Sequence, residues 1–359
     1  MFFASDNWAG AHPRISDALR HHSRGFVPSY GSSDLDHLAE KRFAEIFEHE
    51  VAVFFLPTGT AANSLALAAV HRTGGVAFAH PDAHIREDEG GAPEFLTGGV
   101  RVRPVPGPDG KIDPEALRAS IAPFSPGSVN MGRASAVSLT QATEIGTVYA
   151  PDRIREIAGV CREHNLPLHM DGARFANALA SLKCTAADMT WRAGVDMVSF
   201  GGTKNGCWCA EALVFFDPAK AHDMPYLRKR SGQLFSKSRF VAAQFLAYFE
   251  DNLWLELAAH ANEMAQKLAI AIQHSGSSKL AWSPEANEVF AVLPKTEFRR
   301  LQKEGVRLHE WLAPVGTPTE MSDDEVLVRL VTSYATEQED VSRFAEFLAR
   351  GNGVNCTSR

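Results

Sequence analysis

Five short runs constrain what this chain can fold into. Val51-Ala-Val-Phe-Phe-Leu56, Ala136-Val-Ser-Leu-Thr140, Leu166-Pro-Leu-His-Met170, Val195-Asp-Met-Val-Ser-Phe200 and Ala212-Leu-Val-Phe-Phe216 are rich in β-branched, aromatic and aliphatic residues. Runs of this kind read as strands buried on both faces. Helical patterns lie between them. Ala61 to Val70 is Ala/Leu-rich, and Asp152 to His164 sets Ile154, Ile157, Ala158 and Cys161 on one face. Strands alternating with helices predict an α/β fold, with a mostly parallel sheet covered on both sides. A single long helical stretch is expected from about Phe240 to Gln273. Beyond it, short elements at Glu288–Leu293, Glu297–Lys303, Leu327–Thr332 and Glu337–Leu348 read as a smaller α+β unit. The expected division is a large unit over residues 1–245 and a small C-terminal one over 246–359.

Bulk properties narrow the partners. With 359 residues and 45% hydrophobic content, the chain can bury a sizeable core in more than one domain. Its formal net charge of −7 argues against nucleic acid or an anionic membrane as the main partner. The opening Met1-Phe2-Phe3 turns polar at Ser5 and Asp6, without the basic and apolar regions of a secretory leader, so none is expected. The apolar runs are too short to span a bilayer. Five scattered cysteines form no zinc set, although Cys207 and Cys209 lie close together. No metal is expected, and a reducing cytoplasm fits best.

Four features, taken in chain order, carry candidate chemistry. Thr58-Gly59-Thr60 joins a strand to a helix. A helix N-terminus offers unpaired N–H groups and partial positive charge, which suits a phosphate; the plain alternative is a helix cap with threonine as N-cap. Asp171 closes the strand at Leu166–Met170, on the rim where α/β proteins bind ligands, and could hold a proton on a heteroaromatic nitrogen or simply cap the next helix. Lys204, in Phe200-Gly-Gly-Thr-Lys-Asn-Gly206, is either a loop lysine or a desolvated amine able to form a Schiff base, with Thr203 beside it. Arg174 and Arg329 are candidates for binding a carboxylate, or members of structural salt bridges. The set supplies a phosphate cradle, a pyridinium partner, an imine lysine and carboxylate clamps. Those are the requirements of a pyridoxal-phosphate enzyme acting on an amino acid.

Longer motifs carry a family resemblance. Ser5-Asp-Asn7, Pro28-Ser-Tyr30-Gly31, Leu56-Pro-Thr-Gly-Thr-Ala-Ala-Asn63, Asp88-Glu-Gly-Gly-Ala-Pro-Glu-Phe95, His169-Met-Asp-Gly-Ala-Arg174, Ala187-Asp-Met-Thr-Trp-Arg-Ala-Gly-Val-Asp196 and Gly201-Gly-Thr-Lys204-Asn resemble the L-threonine aldolase family, nearest its low-specificity and phenylserine aldolase branch. The likeness runs from about Ser5 to Leu348. It implies pyridoxal-phosphate-dependent transferase-like fold type I, a homotetramer built as a dimer of dimers, and active sites shared between subunits. It also implies that Lys204 carries the cofactor and Asp171 binds its pyridine nitrogen. By the same likeness Gly59 and Thr60 hold the phosphate, and His84 stacks on the ring beside an acidic neighbour, Glu89. Ser5, Arg174 and Arg329 would bind the substrate carboxylate, with Tyr30 also near the substrate.

One departure stands out. The family carries a second histidine thought to contact the substrate's β-hydroxyl. Counting back eight residues from Ser138 puts Asn130 there, and an asparagine can hydrogen-bond a hydroxyl but cannot take its proton. The phosphate-binding cation is left open among Arg228, Lys229, Arg230, Lys237 and Arg239. The activity implied is retro-aldol cleavage of L-3-hydroxy amino acids to glycine and an aldehyde, with His84 as base or as a purely stacking ring. The alternatives are β-elimination or transamination on the same scaffold, and a non-catalytic protein that keeps the fold.

Overall fold

The computed structural model describes residues 1–124 and 129–351. A seven-stranded sheet forms from β1 (Ala52–Leu56), β2 (Gly75–Ala79), β3 (Arg101–Pro104), β4 (Arg133–Thr140), β5 (Leu168–Gly172), β6 (Met197–Gly201) and β7 (Glu211–Phe215). The strand order is β1-β7-β6-β5-β4-β2-β3. Pairing is parallel from β3 through β6, while β7 runs antiparallel to both of its neighbours. β1 therefore points the same way as β6. The carboxyl ends of β1, β4, β5 and β6 share one edge with the start of β7, where Glu211 faces Leu56 on one side and Gly201 on the other.

The α/β fold expected from the alternation is present, with three adjustments. β2 and β3 were not anticipated. Gly75-Val-Ala-Phe-Ala79 is short and rich in alanine and glycine, and β3 carries Arg101 and Arg103 on an exposed edge, so neither shows strong strand patterning. The single helix expected over Phe240–Gln273 is broken. Arg239–Phe249 ends at Glu250–Asn252, where Asp251 and Asn252 adopt left-handed backbone (φ 52° and 59°), and Leu253–Gln273 begins a new helix. Asp and Asn tolerate that conformation better than other side-chain-bearing residues, and two in succession redirect the chain.

A second sheet is antiparallel, in the order β10-β11-β9-β8, from β8 (Lys279–Leu280), β9 (Glu288–Pro294), β10 (His309–Glu310) and β11 (Glu325–Val331). The helix Leu253–Gln273 bridges the two sheets: Leu257 and Ala258 enter the core of the large sheet, and Met264, Leu268 and Ile272 enter that of the small one. The chain start joins the second core as well. Phe3 is fully buried there, its N–H donates to Arg307 O (2.8 Å), and its carbonyl accepts the Val331 N–H (2.8 Å).

Phe200, at the end of β6, anchors the core beneath the site. Its ring lies 5.2 Å from Phe43, 5.1 Å from Phe175, 5.7 Å from Phe249 and 5.8 Å from Trp254, mostly in tilted or edge-on contact. Aromatic pairs favour these geometries. Lys204 follows four residues later, so its segment leaves the sheet from a rigidly packed point.

Candidate active site

A cavity of about 290 Å³ opens at the carboxyl edge of the large sheet. It gathers Thr58, Gly59 and Thr60 after β1, Thr140 and Glu144 at and beyond the end of β4, and Asp171, Ala173 and Arg174 from the end of β5. Thr203 and Lys204 after β6, Glu211 on β7, His84, Asn63 and Asn7 also line it. Residues remote in sequence meet because parallel strands deliver their carboxyl ends to one rim.

The helix Gly59–Ala69 starts directly at the cavity. Thr58 Oγ1 accepts the Ala61 N–H (3.2 Å) and Thr58 O the Ala62 N–H (3.2 Å), leaving the first-turn N–H groups of Gly59 and Thr60 as the available donors. A Cβ built on Gly59 would meet nothing within 4 Å, so glycine keeps open space where a ligand's phosphate would approach.

Asp171 is buried on β5. Its Oδ1 accepts the Ala173 N–H (3.0 Å) and its Oδ2 accepts from Asn63 Nδ2 (2.7 Å). The same Asn63 amide donates to Glu89 Oε1 (2.8 Å), and Glu89 Oε1 lies 3.0 Å from His84 Nδ1. One asparagine thus links the carboxylate expected at a pyridine nitrogen to the imidazole expected over a ring. The bond to Glu89 raises the pKa of His84 above that of a free imidazole, outweighing its partial burial. Lys204 makes no hydrogen bond or ion pair among the described residues, although its charge acts on Asp6, His84 and Glu211. Burial pushes the Glu211 carboxyl up to about 7, against the pull of its Thr203 hydrogen bonds and of Lys204.

Arg174 is held tightly. Its Nε donates to Asp6 Oδ2 (2.7 Å) and its Nη2 to Asp6 Oδ1 (3.1 Å), while Nη1 lies 3.2 Å from Glu288 Oε2. Arg329 reaches the other Glu288 oxygen at 3.6 Å and stacks 3.8 Å over Trp311. Both arginines therefore enter one buried network, in which only Arg174 lines the cavity. Asp6, quoted in the sequence only as part of a motif, is its main counterion. Burial pushes the Asp6 carboxyl up, but the charges of Arg174 and Lys204 outweigh this and hold it below the usual value of 3.8. A depressed carboxyl stabilises the fold above the unfolded pKa and loses that contribution as pH falls through the folded one. Asp6→Asn is expected to lower stability by about 1.5–3 kcal/mol at pH 7, since it removes one of the two buried carboxylates that neutralise Arg174, with the deficit shrinking at acidic pH. Urea melts of both proteins at pH 7 and pH 3.5 check this; equal midpoints at pH 7 would reject it.

Ser5, Tyr30 and the candidate phosphate-binding cations are not on the cavity wall of the chain. Ser5 caps the turn Asp6–Trp8 by accepting the Asn7 N–H (3.2 Å). Tyr30 is half exposed with φ 63°, and Lys229 Nζ lies 5.5 Å from its ring. Of the candidate phosphate cations, Arg228 packs on Phe54 and the Phe55 carbonyl, and Arg239 reaches the Gly25 carbonyl. Neither lines the cavity.

The assignment of Asn130 is corrected. Asn130 is exposed and precedes the amino end of β4, whereas the cavity lies at the carboxyl end of that eight-residue strand. At about 3.3 Å per residue the two ends stand roughly 25 Å apart. The position was counted backward from the strand, and the parallel sheet places the site forward of it. Thr140 and Glu144 occupy that place, and Glu144 was not singled out in the sequence.

An amine with no partner among the described residues, in one cavity with a hydrogen-bonded carboxylate and a helix start, suits a cofactor that has a phosphate, a carbonyl and a ring nitrogen. Pyridoxal phosphate is such a group, and the residues present fit it. The family model for beta-eliminating lyases matches residues 3–295. Low-specificity L-threonine aldolases from Pseudomonas aeruginosa and from Pseudomonas sp. are 40% and 37% identical over 343 residues, spanning 96% of this chain and 95% of each relative. The solved structure of Leishmania major threonine aldolase superposes with a TM-score of 0.90 at 31% identity, over 97% of this chain and 98% of that one. Fold and site together define a pyridoxal-phosphate-dependent lyase of fold type I. The chain belongs to the beta-eliminating lyase family, in its L-threonine aldolase group.

Proposed function

We propose that the protein cleaves the Cα–Cβ bond of L-3-hydroxy amino acids of the threonine, allo-threonine and phenylserine type, giving glycine and an aldehyde, and runs the reverse addition. The observation that carries this reading is the unpaired Lys204 amine in one cavity with the Asn63-bonded Asp171 carboxylate. Pyridoxal phosphate, when bound, supplies a carbonyl that condenses with amines and a ring that accepts an electron pair.

The chain's own groups do the rest. Lys204 is the amine that holds the cofactor and yields to the substrate's amine. Gly59, Thr60 and the start of their helix bind phosphate, with Thr203 at the other side. Asp171 keeps a proton on the pyridine nitrogen, and Asn63 and the Ala173 N–H keep Asp171 in place. Arg174, steadied by Asp6, presents its edge to the substrate carboxylate, with Arg329 joined to it through Glu288 and Ser5 capping the turn that carries Asp6. Holding that carboxylate would fix how the substrate is turned about Cα, and so which of its bonds is cleaved. His84, held by Glu89 on the cavity wall, would lie against the bound cofactor.

A homotetramer with shared sites fits the exposed Phe26, Val27 and Tyr30, a run of apolar surface on one loop. Tyr30 then serves a neighbouring subunit's cavity. A reducing cytoplasm fits four described cysteines that are all unpaired. The purified holoprotein should release glycine and the matching aldehyde from threonine, allo-threonine or phenylserine. Formation of pyruvate or another keto acid in place of glycine would move the assignment to elimination or transamination.

A further inference from the structure

The cavity wall holds a carboxylate with no place in the scheme above. Glu144 follows β4 and is fixed through one oxygen: Oε1 accepts the His84 N–H (2.9 Å) and the Thr140 hydroxyl (2.7 Å). Its other oxygen, Oε2, is buried without any hydrogen-bond partner. A buried carboxylate oxygen left bare is costly unless it carries a proton or meets a ligand.

Other groups on the wall are committed. Asp171 bonds Asn63 and the Ala173 N–H, and Glu211 bonds Thr203 beside Lys204. His84 is paired through Nδ1 with Glu89, which favours its protonated form and makes it a donor more than an acceptor. Asn130, first expected near the hydroxyl, lies at the far end of the strand.

We infer that Glu144, through Oε2, is the group that takes the proton from the substrate's β-hydroxyl; this rests on the aldol reading given above. In the step, the O–H bond breaks and its proton moves to Oε2. The C–O bond becomes a carbonyl, the Cα–Cβ bond breaks, and its electron pair stays with the glycyl fragment. The aldehyde leaves, and Glu144 returns its proton to solvent or to the reverse reaction.

The electrostatics agree. Burial, more than the like charge of Asp171, pushes the Glu144 carboxyl up to about 7, against the pull of Thr140 and the His84 N–H. The charged groups around it come from several elements: Asp171 on β5 and Arg174 after it, Lys204 after β6, Glu211 on β7, and His84 with Glu89 behind it. A base of that pKa is split between its two forms at neutral pH, the poise general-base catalysis favours.

Glu144→Gln separates the chemistry from the scaffold. The amide oxygen still accepts from His84 and Thr140, but the side chain no longer takes a proton. In the holoenzyme, kcat for threonine or phenylserine cleavage should fall by roughly 10²–10⁴-fold. Exchange of the glycine α-proton with D₂O, which involves no hydroxyl, should persist, as should cofactor affinity. The rise of wild-type kcat/KM with pH through about 7 should vanish in E144Q. Unchanged cleavage, or exchange lost in step with cleavage, overturns the inference. Wild-type protein that exchanges glycine yet cleaves no 3-hydroxy amino acid rejects the aldol reading instead. In that event an infrared carboxylic C=O band that titrates near neutral pH in wild type and is missing from E144Q sustains the proton-holding role. Its absence from wild type ends it.

Discussion

Lys204→Ala is expected to abolish both the coloured, borohydride-reducible attachment of pyridoxal phosphate and turnover, the latter by at least about 10⁴-fold, the scale seen when a covalent catalyst is removed. The reason is local. Lys204 sits in the cavity without a hydrogen-bond or ion-pair partner among the described residues, and its segment leaves β6 immediately after the packed Phe200. Removing the amine therefore breaks no such bond, so the fold should survive and the loss be chemical. Reduction with borohydride followed by mass analysis of the peptide spanning residues 201–206 should show cofactor on the parent and none on the variant. Parental turnover in the variant would remove the foundation of the assignment.

Asp171→Asn should lower kcat by about 10²–10³-fold, equivalent to roughly 3–4 kcal/mol of transition-state stabilisation, the range for loss of one preorganised electrostatic partner. An asparagine keeps the shape and can still accept the Ala173 N–H through its oxygen. It loses the charge that would hold a proton on the ring nitrogen. It also puts an NH2 in place of one carboxylate oxygen, which either sets donor against donor at Asn63 Nδ2 or, flipped, gives up the bond from the Ala173 N–H. Affinity for the phosphate should change little, because Gly59 and Thr60 lie on a different element. Absorbance titration of cofactor binding and steady-state kinetics measure the two effects separately; a variant with the parental kcat would dissociate Asp171 from the ring nitrogen.

The parts of the site that the sequence made legible are those fixed by local rules. β1 and β4 to β7 stand out as apolar runs, and Thr58–Thr60, Asp171 and Lys204 fall just where such strands end. Because parallel strands collect ligands at their carboxyl ends, those three fall together from the strand pattern alone. What escapes is whatever depends on one side chain choosing another far along the chain. Asp6 and Arg174 are 168 positions apart, and Asn63 and Asp171 are 108 apart. No periodicity records either choice. Glu144 hides for a different reason: a glutamate in a polar turn looks solvated until the end of β4 is seen to bury it. The misplacement of Asn130 shows the hazard of counting from a strand without its direction, since a shift to the wrong end moves a residue across the whole sheet.

The charge balance around Arg174 has a bearing on how the protein matures on the ribosome. Its two counterions come from opposite ends of the message: Asp6 is made first, while Glu288 on β9 follows long after the large sheet ends at Phe215. A nascent chain halted after the large sheet would hold a sequestered guanidinium with half its neutralising partners. The candidate cavity thus reaches its finished electrostatic state only once β9 of the small sheet is made and packed against Arg174.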